Sequence, residues 1–267
     1  MARSLDAKKI KSAQRVLEVL EYFNSERREG TVMDIARTYG YPQSSTSELL
    51  SCLVALGYLR RDLRARTYKP SARVAMLGAW VQPDLFRHGA ALSLMDELAA
   101  DVGATIMIAS RVGLGAQVFQ VVEPGGGASE IRTGQSMLLM HSAPGKALLS
   151  CMRADELKKF AHRMNAESEE ALRVRFEDLS AELDQVRSKG FAVSRGEDGQ
   201  AMVSVLLPRR ADDEPLALTI VVPEARLDAN LEHYVQALRG AVSHHIGVVD
   251  VRPTPVPQQP HALIRAV

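Results

Sequence analysis

Apolar side chains recur at helical spacing in three short runs near the start of the chain. In 12–23 (SAQRVLEVLEYF), Val16, Leu17, Leu20 and Phe23 share one face, and Ser12 stands where a helix is capped. A charged turn with Gly30 leads into 32–39 (VMDIARTY), with Ile35 and Ala36 inward and Gly40 as terminator. Pro42 suits the opening turn of a third helix over 43–56 (QSSTSELLSCLVAL), which puts Leu49, Leu50, Leu53 and Leu56 on one side until Gly57 stops it. Two β-like pieces, 58–61 (YLRR) and 66–69 (RTYK), follow around DLRA. Helix, helix, tight turn, helix and basic hairpin is the order of a winged helix-turn-helix.

From Ala72 to about Val102 the pattern is helical again, interrupted near Gly78 and Pro83, which suits a connector and the first helix of a second domain. Residues 104–111 and 115–123 read as paired strands turning at Gly113, the PGGG tract 124–127 as a loop, and Glu130–Thr133 as a further strand. Helices are predicted over 144–152, 154–163 and 170–189, then strands over 191–195, 202–207 and 216–222 and a closing helix over 227–247. Strands and helices mix without regular βαβ alternation, so the second domain reads as α+β. Beyond Val251, four prolines (Pro253, Pro255, Pro257, Pro260) mark an extended or disordered tail. The expected division is 1–71 for the winged helix-turn-helix, 72–84 for a linker helix, 85–250 for the second domain and 251–267 for the tail.

The net charge of +1 hides an asymmetry: residues 1–80 carry 14 basic and 8 acidic side chains, and the remainder carries 19 and 24. A cationic head on an anionic body attracts phosphate backbones locally whatever the total. An apolar fraction of 46% excludes a disordered chain. Cys52 and Cys151, both in helical segments, read as reduced thiols of a cytoplasmic protein. The start MARSLDAKKIKS lacks the apolar stretch of a signal peptide, and no membrane partner is expected.

Candidate chemistry is densest in the head. Gln43, Ser44, Ser45, Thr46, Ser47 and Glu48 occupy the first two turns of the third helix, where short polar side chains and the helix N-terminus suit phosphate oxygens and base edges. Arg60, Arg61, Arg64, Arg66 and Lys69 make the hairpin basic enough to straddle a backbone or enter a minor groove. The string ARTYGYPQSSTSELLSCLVALGYLRRD resembles the helix-turn-helix of the IclR family of bacterial transcriptional regulators, which often reads LGLPKSTVHRLLATLVALGYLERD. The likeness continues through YKPSARVAMLG, HSAPGKALL at 141–149 and VRSKGFAV at 186–193, and covers about 12–247. It implies an N-terminal winged helix, a dimerising linker helix and a C-terminal α+β (GAF-like) effector-binding domain. It also implies double-stranded palindromic operator DNA, a small-molecule effector and self-association as a dimer or dimer of dimers. No cofactor and no metal are expected, since no residue spacing matches a ligand set.

This chain departs from the family pattern at Gln43, where a basic residue is usual, and at Glu48, where Arg is usual. A carboxylate facing phosphate costs affinity but can accept from a cytosine amino group. In the effector domain the usual PLHATALGKA becomes LLMHSAPGKA, so Met140 replaces His and His141 takes a small-residue position. Ser194 and Arg195 stand where relatives carry acids. Thr219 and Val221 replace a Ser-x-Ser pair, and Ser204 fills a position that is often Cys or Ser. A pocket of Met107, Met137, Met140, Leu206 and Val221, with His141, Ser142, Ser194, Ser204 and Thr219 as polar points, suits an aromatic or apolar acid better than a compact keto acid.

Other motifs fail on spacing. Gly145-Lys146 lacks both the upstream glycine and the hydroxyl of a P-loop. The glycine triplet at 125–127 is no dinucleotide loop, and GEDG at 196–199 lacks the remaining ligands of a calcium loop and reads as a turn. His244 and His245 are adjacent, so on a helix they point in different directions and cannot form an i, i+4 metal pair, while His141, Cys151 and His162 match no zinc ligand set. The rival of a different class is a hydrolase using Ser142 or Cys151 as nucleophile and His141 or His162 as base, without a nucleophile elbow behind it.

Overall fold

The computed structural model describes residues 10–24, 27–78, 89–126, 131–196, 198–209 and 213–246, which fall in two compact units, Met1–Pro83 and Asp84–Val267. The predicted tail and the second half of the predicted linker helix lie outside the described residues.

In the first unit α1 (Lys11–Glu21), α2 (Val32–Tyr39) and α3 (Gln43–Ala55) precede a hairpin of β1 (Leu59–Asp62) and β2 (Thr67–Pro70), and α4 (Ala72–Gly78) closes it. α2 starts because Thr31 and Asp34 cap each other: the Asp34 amide donates to the Thr31 hydroxyl at 3.2 Å and the Thr31 amide to the Asp34 carboxylate at 2.9 Å. These bonds hold the Asp34 carboxyl below its ordinary pKa. α2 stops at Gly40, in the left-handed region at φ 67°. The core joins Val19, Tyr22, Ile35, Leu50, Leu53, Leu59 and Tyr68. Two leucines expected inside are outside: Leu17 is 58% and Leu56 52% exposed. Val19 and Tyr22 fill the α1 face instead, because the buried stripe runs through 16, 19 and 23 and leaves Leu17 about one residue's rotation beyond it.

The second unit is one antiparallel six-stranded sheet in the order β5-β4-β3-β8-β7-β6. Its elements are α5 (Ala90–Val102), β3 (Thr105–Val112), β4 (Gly115–Val122), β5 (Ser136–Leu138), α6 (Ala143–Leu149), α7 (Ala154–Glu167), α8 (Phe176–Lys189), β6 (Ala192–Arg195), β7 (Gln200–Leu206), β8 (Leu216–Pro223) and α9 (Glu224–Ile246). Central β8 is buried from Leu216 through Val222, so both sheet faces are covered. On one face Ile106, Ile108, Val203, Leu218 and Ile220 pack against Leu94, Met95 and Leu98 of α5 and Leu238 and Val242 of α9. On the other, Ala192, Leu206 and Ala217 meet Ala143, Ala147 and Leu148 of α6, backed by Leu157 of α7 and Leu183 of α8. Burying one such side chain is worth roughly 1.5–3 kcal/mol. An exposed pair such as Arg163–Glu167 at 3.0 Å contributes about 1 kcal/mol or less. Packing therefore holds the unit.

Two expectations are corrected. Residues 131–133 run into a turn at Gly134 (φ 84°), and the edge strand is β5, three residues later than Thr133. The single helix predicted over 170–189 is a short 3-10 turn, Glu170–Leu172, followed by α8. Asn165 causes the break: its side chain donates to the Val174 carbonyl at 2.7 Å and accepts from the Val174 amide at 2.9 Å, taking both groups out of any helix. No described helix is long and apolar enough to cross a membrane.

α6 starts at Ser142 and presses its Gly145 against Leu139, where an added Cβ would lie 2.1 Å from the carbonyl oxygen and 2.5 Å from Cα. Backbone cannot yield as a side chain does. Gly145→Ala is expected to destabilise the second unit by about 1–3 kcal/mol or more, read as an earlier urea midpoint for its transition.

Candidate nucleic-acid interface and sensor face

α3 opens after Pro42 with no side-chain cap and no acid in its first turn. The amides of its first turn therefore meet solvent beside the exposed side chains of Gln43, Ser44 and Glu48. Ser45 is half-buried and donates to the Pro42 carbonyl at 3.1 Å; Ser47 is also half-buried, and its carbonyl accepts from Ser51 at 2.8 Å. Thr46 is turned inward. It is 1% exposed and its hydroxyl donates to the Pro42 carbonyl at 3.0 Å, so it packs rather than reads a surface. Its place in the polar run concealed this, because it stands one turn before the buried Leu50.

The hairpin pairs Arg60 with Lys69 and Arg61 with Tyr68. Its tip is tied by Asp62, whose carboxylate accepts from the amides of Arg64 at 2.9 Å and Ala65 at 3.0 Å. Those two bonds hold the Asp62 pKa below its usual value, so the tie persists in mild acid. Arg66 takes φ 55°, the turn back into β2. Arg60, Arg61, Arg64 and Arg66 are exposed, with the Arg61 guanidinium 5.7 Å from the Tyr68 ring centroid. Lys69 is committed otherwise: its ammonium lies 2.6 Å from Glu29, and this contact lowers the Glu29 pKa. Four arginines thus carry the positive surface of the wing.

In the second unit Met107 and Val221 join Val118 and Ile131 in one buried apolar cluster, with Met137 and Met202 half-buried at its border. Met140 and Leu206 belong instead to the packing around α6. Ile131 and Met202 escaped sequence reading; Met202 alternates with Ser204 and Leu206 on β7, a spacing that could have found it. The polar points are largely satisfied within the fold. Thr219 donates to Ser204 at 2.9 Å and Ser204 to the Leu218 carbonyl at 3.3 Å, both side chains being fully buried. Ser142 donates to the Leu138 carbonyl at 2.8 Å and accepts from the Gly145 amide at 3.3 Å. Ser194 accepts from the Ala143 amide at 2.9 Å and so ties β6 to the start of α6. His141 is exposed, its Nε2 2.9 Å from the Leu172 carbonyl.

Groups read as motifs have other duties. Lys146 pairs with Glu182 of α8 at 2.5 Å, and Arg195 with Glu224 at 3.0 Å and with Asp228. Between β6 and β7 the Asp198 carboxylate accepts from the Gln200 amide at 3.1 Å and the Gly196 amide donates to the Gln200 carbonyl at 2.7 Å. The adjacent histidines do converge: the His244 and His245 ring centroids are 4.9 Å apart, edge to face.

A winged three-helix module followed by an antiparallel α+β module defines a two-domain transcriptional regulator. Residues 12–63 match the IclR helix-turn-helix domain and residues 86–246 the bacterial transcriptional regulator IclR C-terminal domain. The chain belongs to the IclR family, whose members are regulators with a DNA-binding helix-turn-helix and a C-terminal effector domain, not enzymes. It is 24% identical over 249 residues to the HTH-type transcriptional regulator XynR of Escherichia coli (strain K12), spanning 89% of this chain and 98% of that one. It is 33% identical over 115 residues to TsaQ1/TsaQ2 of Comamonas testosteroni, 43% of this chain and 41% of that one. Among solved structures, an IclR family regulator from Brucella abortus shares 25% identity at TM-score 0.52, over 92% of this chain and 94% of that one. One from Alicyclobacillus acidocaldarius shares the fold at TM-score 0.57 and 22% identity, over 89% of this chain and 98% of that one. The hydrolase reading finds no support in these likenesses.

Burial raises the pKa of the Cys151 thiol above its ordinary value, against the lowering effect of Arg209 and Arg187, so it holds less thiolate near neutrality than a free cysteine. Iodoacetamide at about pH 8 is expected to label the exposed Cys52 first. Cys151 should follow only after unfolding or at higher pH, as peptide mass mapping would show.

Proposed function

We propose that this regulator grips a palindromic double-stranded operator as a dimer or dimer of dimers, and that an aromatic or apolar acid in the second module adjusts that grip. The observation that carries the reading is the pairing, in one unit, of an uncapped α3 N-terminus with four exposed wing arginines. Phosphate oxygens find donors at the helix start, base edges meet Gln43, Ser44 and Glu48, and the wing arginines reach the flanking backbone or minor groove. Thr46 is left out of this surface, and Lys69 acts through its pair with Glu29. Self-association is favoured by Leu17 on α1 and by Met76 and Leu77 on α4, large apolar side chains that are exposed among the described residues. The division into 1–71, 72–84 and 85–250, with work in the cytoplasm, goes with this reading.

The effector is assigned to the sheet face bordered by Met107, Met137, Met202 and Val221, with Ser194 supplying the polar anchor at the start of α6. Methionines re-pack around a rigid ring at low cost. Binding shifts the regulator between two arrangements only by the difference in its affinity for them.

The test uses the full chain and a duplex selected by it from a random pool, with binding read by fluorescence anisotropy as salt is varied. Arg64→Ala and Arg66→Ala should each reduce the slope of log K against log[salt] by about one. Aromatic acids should release the duplex and be returned unchanged. Unaltered slopes remove the wing from the interface, and release by small keto acids alone removes the apolar pocket.

A further inference from the structure

The first and last described helices of the second unit bring three donor side chains together, away from Met107 and Val221. Glu97 stands on α5, and His244 and His245 end α9. One ligand atom from each lies within 4.8 Å of the other two, and the His245 Nε2 is 3.0 Å from a Glu97 carboxylate oxygen. The two helices hold this geometry by burying Leu94, Met95 and Leu98 against the same core as Leu238 and Val242. His245 is itself held, its side chain only 12% exposed, whereas Glu97 and His244 are exposed and free to adjust.

We propose that Glu97, His244 and His245 form a site for a divalent borderline metal, Zn2+ in the first instance. Two imidazole nitrogens and a carboxylate oxygen are a donor set that Zn2+ binds at about 2.0–2.2 Å. Tetrahedral ligands at that radius sit roughly 3.3 Å from one another. The Glu97–His245 separation of 3.0 Å is already close to this, and rotation of the exposed His244 and Glu97 side chains closes the rest. The carbonyls ending α9 concentrate partial negative charge at that terminus, which favours a cation there. The fourth position is left to water. A bound ion would strap the helix that opens the sensor module to the one that ends it, on the sheet face opposite the proposed effector contacts.

The experiment is isothermal titration of Zn2+ into the full chain after dialysis against a chelator, beside thermal melts with and without Zn2+. One Zn2+ per chain is expected, with a rise in melting temperature. Glu97→Gln and His244→Ala, both at exposed positions, should each weaken binding by roughly tenfold or more and abolish the rise. His245→Ala should do the same where circular dichroism shows it folded, and His162→Ala should change neither quantity. Absence of stoichiometric binding, or binding that Glu97→Gln and His244→Ala leave intact, overturns the proposal. Neither readout involves DNA or an organic effector, so its failure leaves the regulatory reading standing, and the reverse holds too.

Discussion

The pairing of β3 with β8 at the centre of the sheet is the constraint on which the second module depends. The register sets Met107 opposite Thr219 and Ile106 opposite Ile220. Because side chains alternate, that choice sends Ile106, Ile108 and Ile220 to α5 and α9 and sends Met107, Thr219 and Val221 to the other side. A slip of one residue would exchange the two sets and bury the Ser204–Thr219 hydroxyl pair against the wrong helices. Both faces being covered, the register is held by apolar packing on each side.

The first module rests on a smaller core and carries the charge. Its second helix is set by caps that the chain supplies locally, Thr31 with Asp34 at the start of α2 and Gly40 at its end. The wing is shaped by Asp62, an acid in the midst of arginines that spends its charge on two backbone amides. Glu29 likewise quiets Lys69. The cationic surface of the wing is therefore narrower than its count of basic residues implies, with Arg60 and Arg61 on β1 and Arg64 and Arg66 at the turn.

Much of this was legible in the chain. Helical period and punctuation by Gly40, Pro42 and Gly57 place α2, α3 and the hairpin, and the resemblance to a known family extends the reading over both modules. What escaped was decided by tertiary contacts. Leu17 and Leu56 lie at the borders of amphipathic stripes, where spacing cannot separate core from surface. Thr46 looks like its polar neighbours and is buried by the packing of α3. The break before α8 comes from Asn165, nine residues before Val174. Glu97 and His245 meet across 148 residues, a juxtaposition that only the packing of α5 on α9 creates. The hydroxyls of Ser142, Ser204 and Thr219, expected to face a ligand, are engaged by hydrogen bonds within the fold, which spacing along the chain does not reveal.

The central claim is that α3 and the wing hold duplex DNA while the sensor sheet does not touch it. Hydrogen–deuterium exchange of the full chain, with and without its selected duplex, tests this most directly. The account expects new protection over 43–48 and 60–66, with the β3–β8 pair unchanged by DNA. Protection confined to the second module, or none in α3, would contradict it.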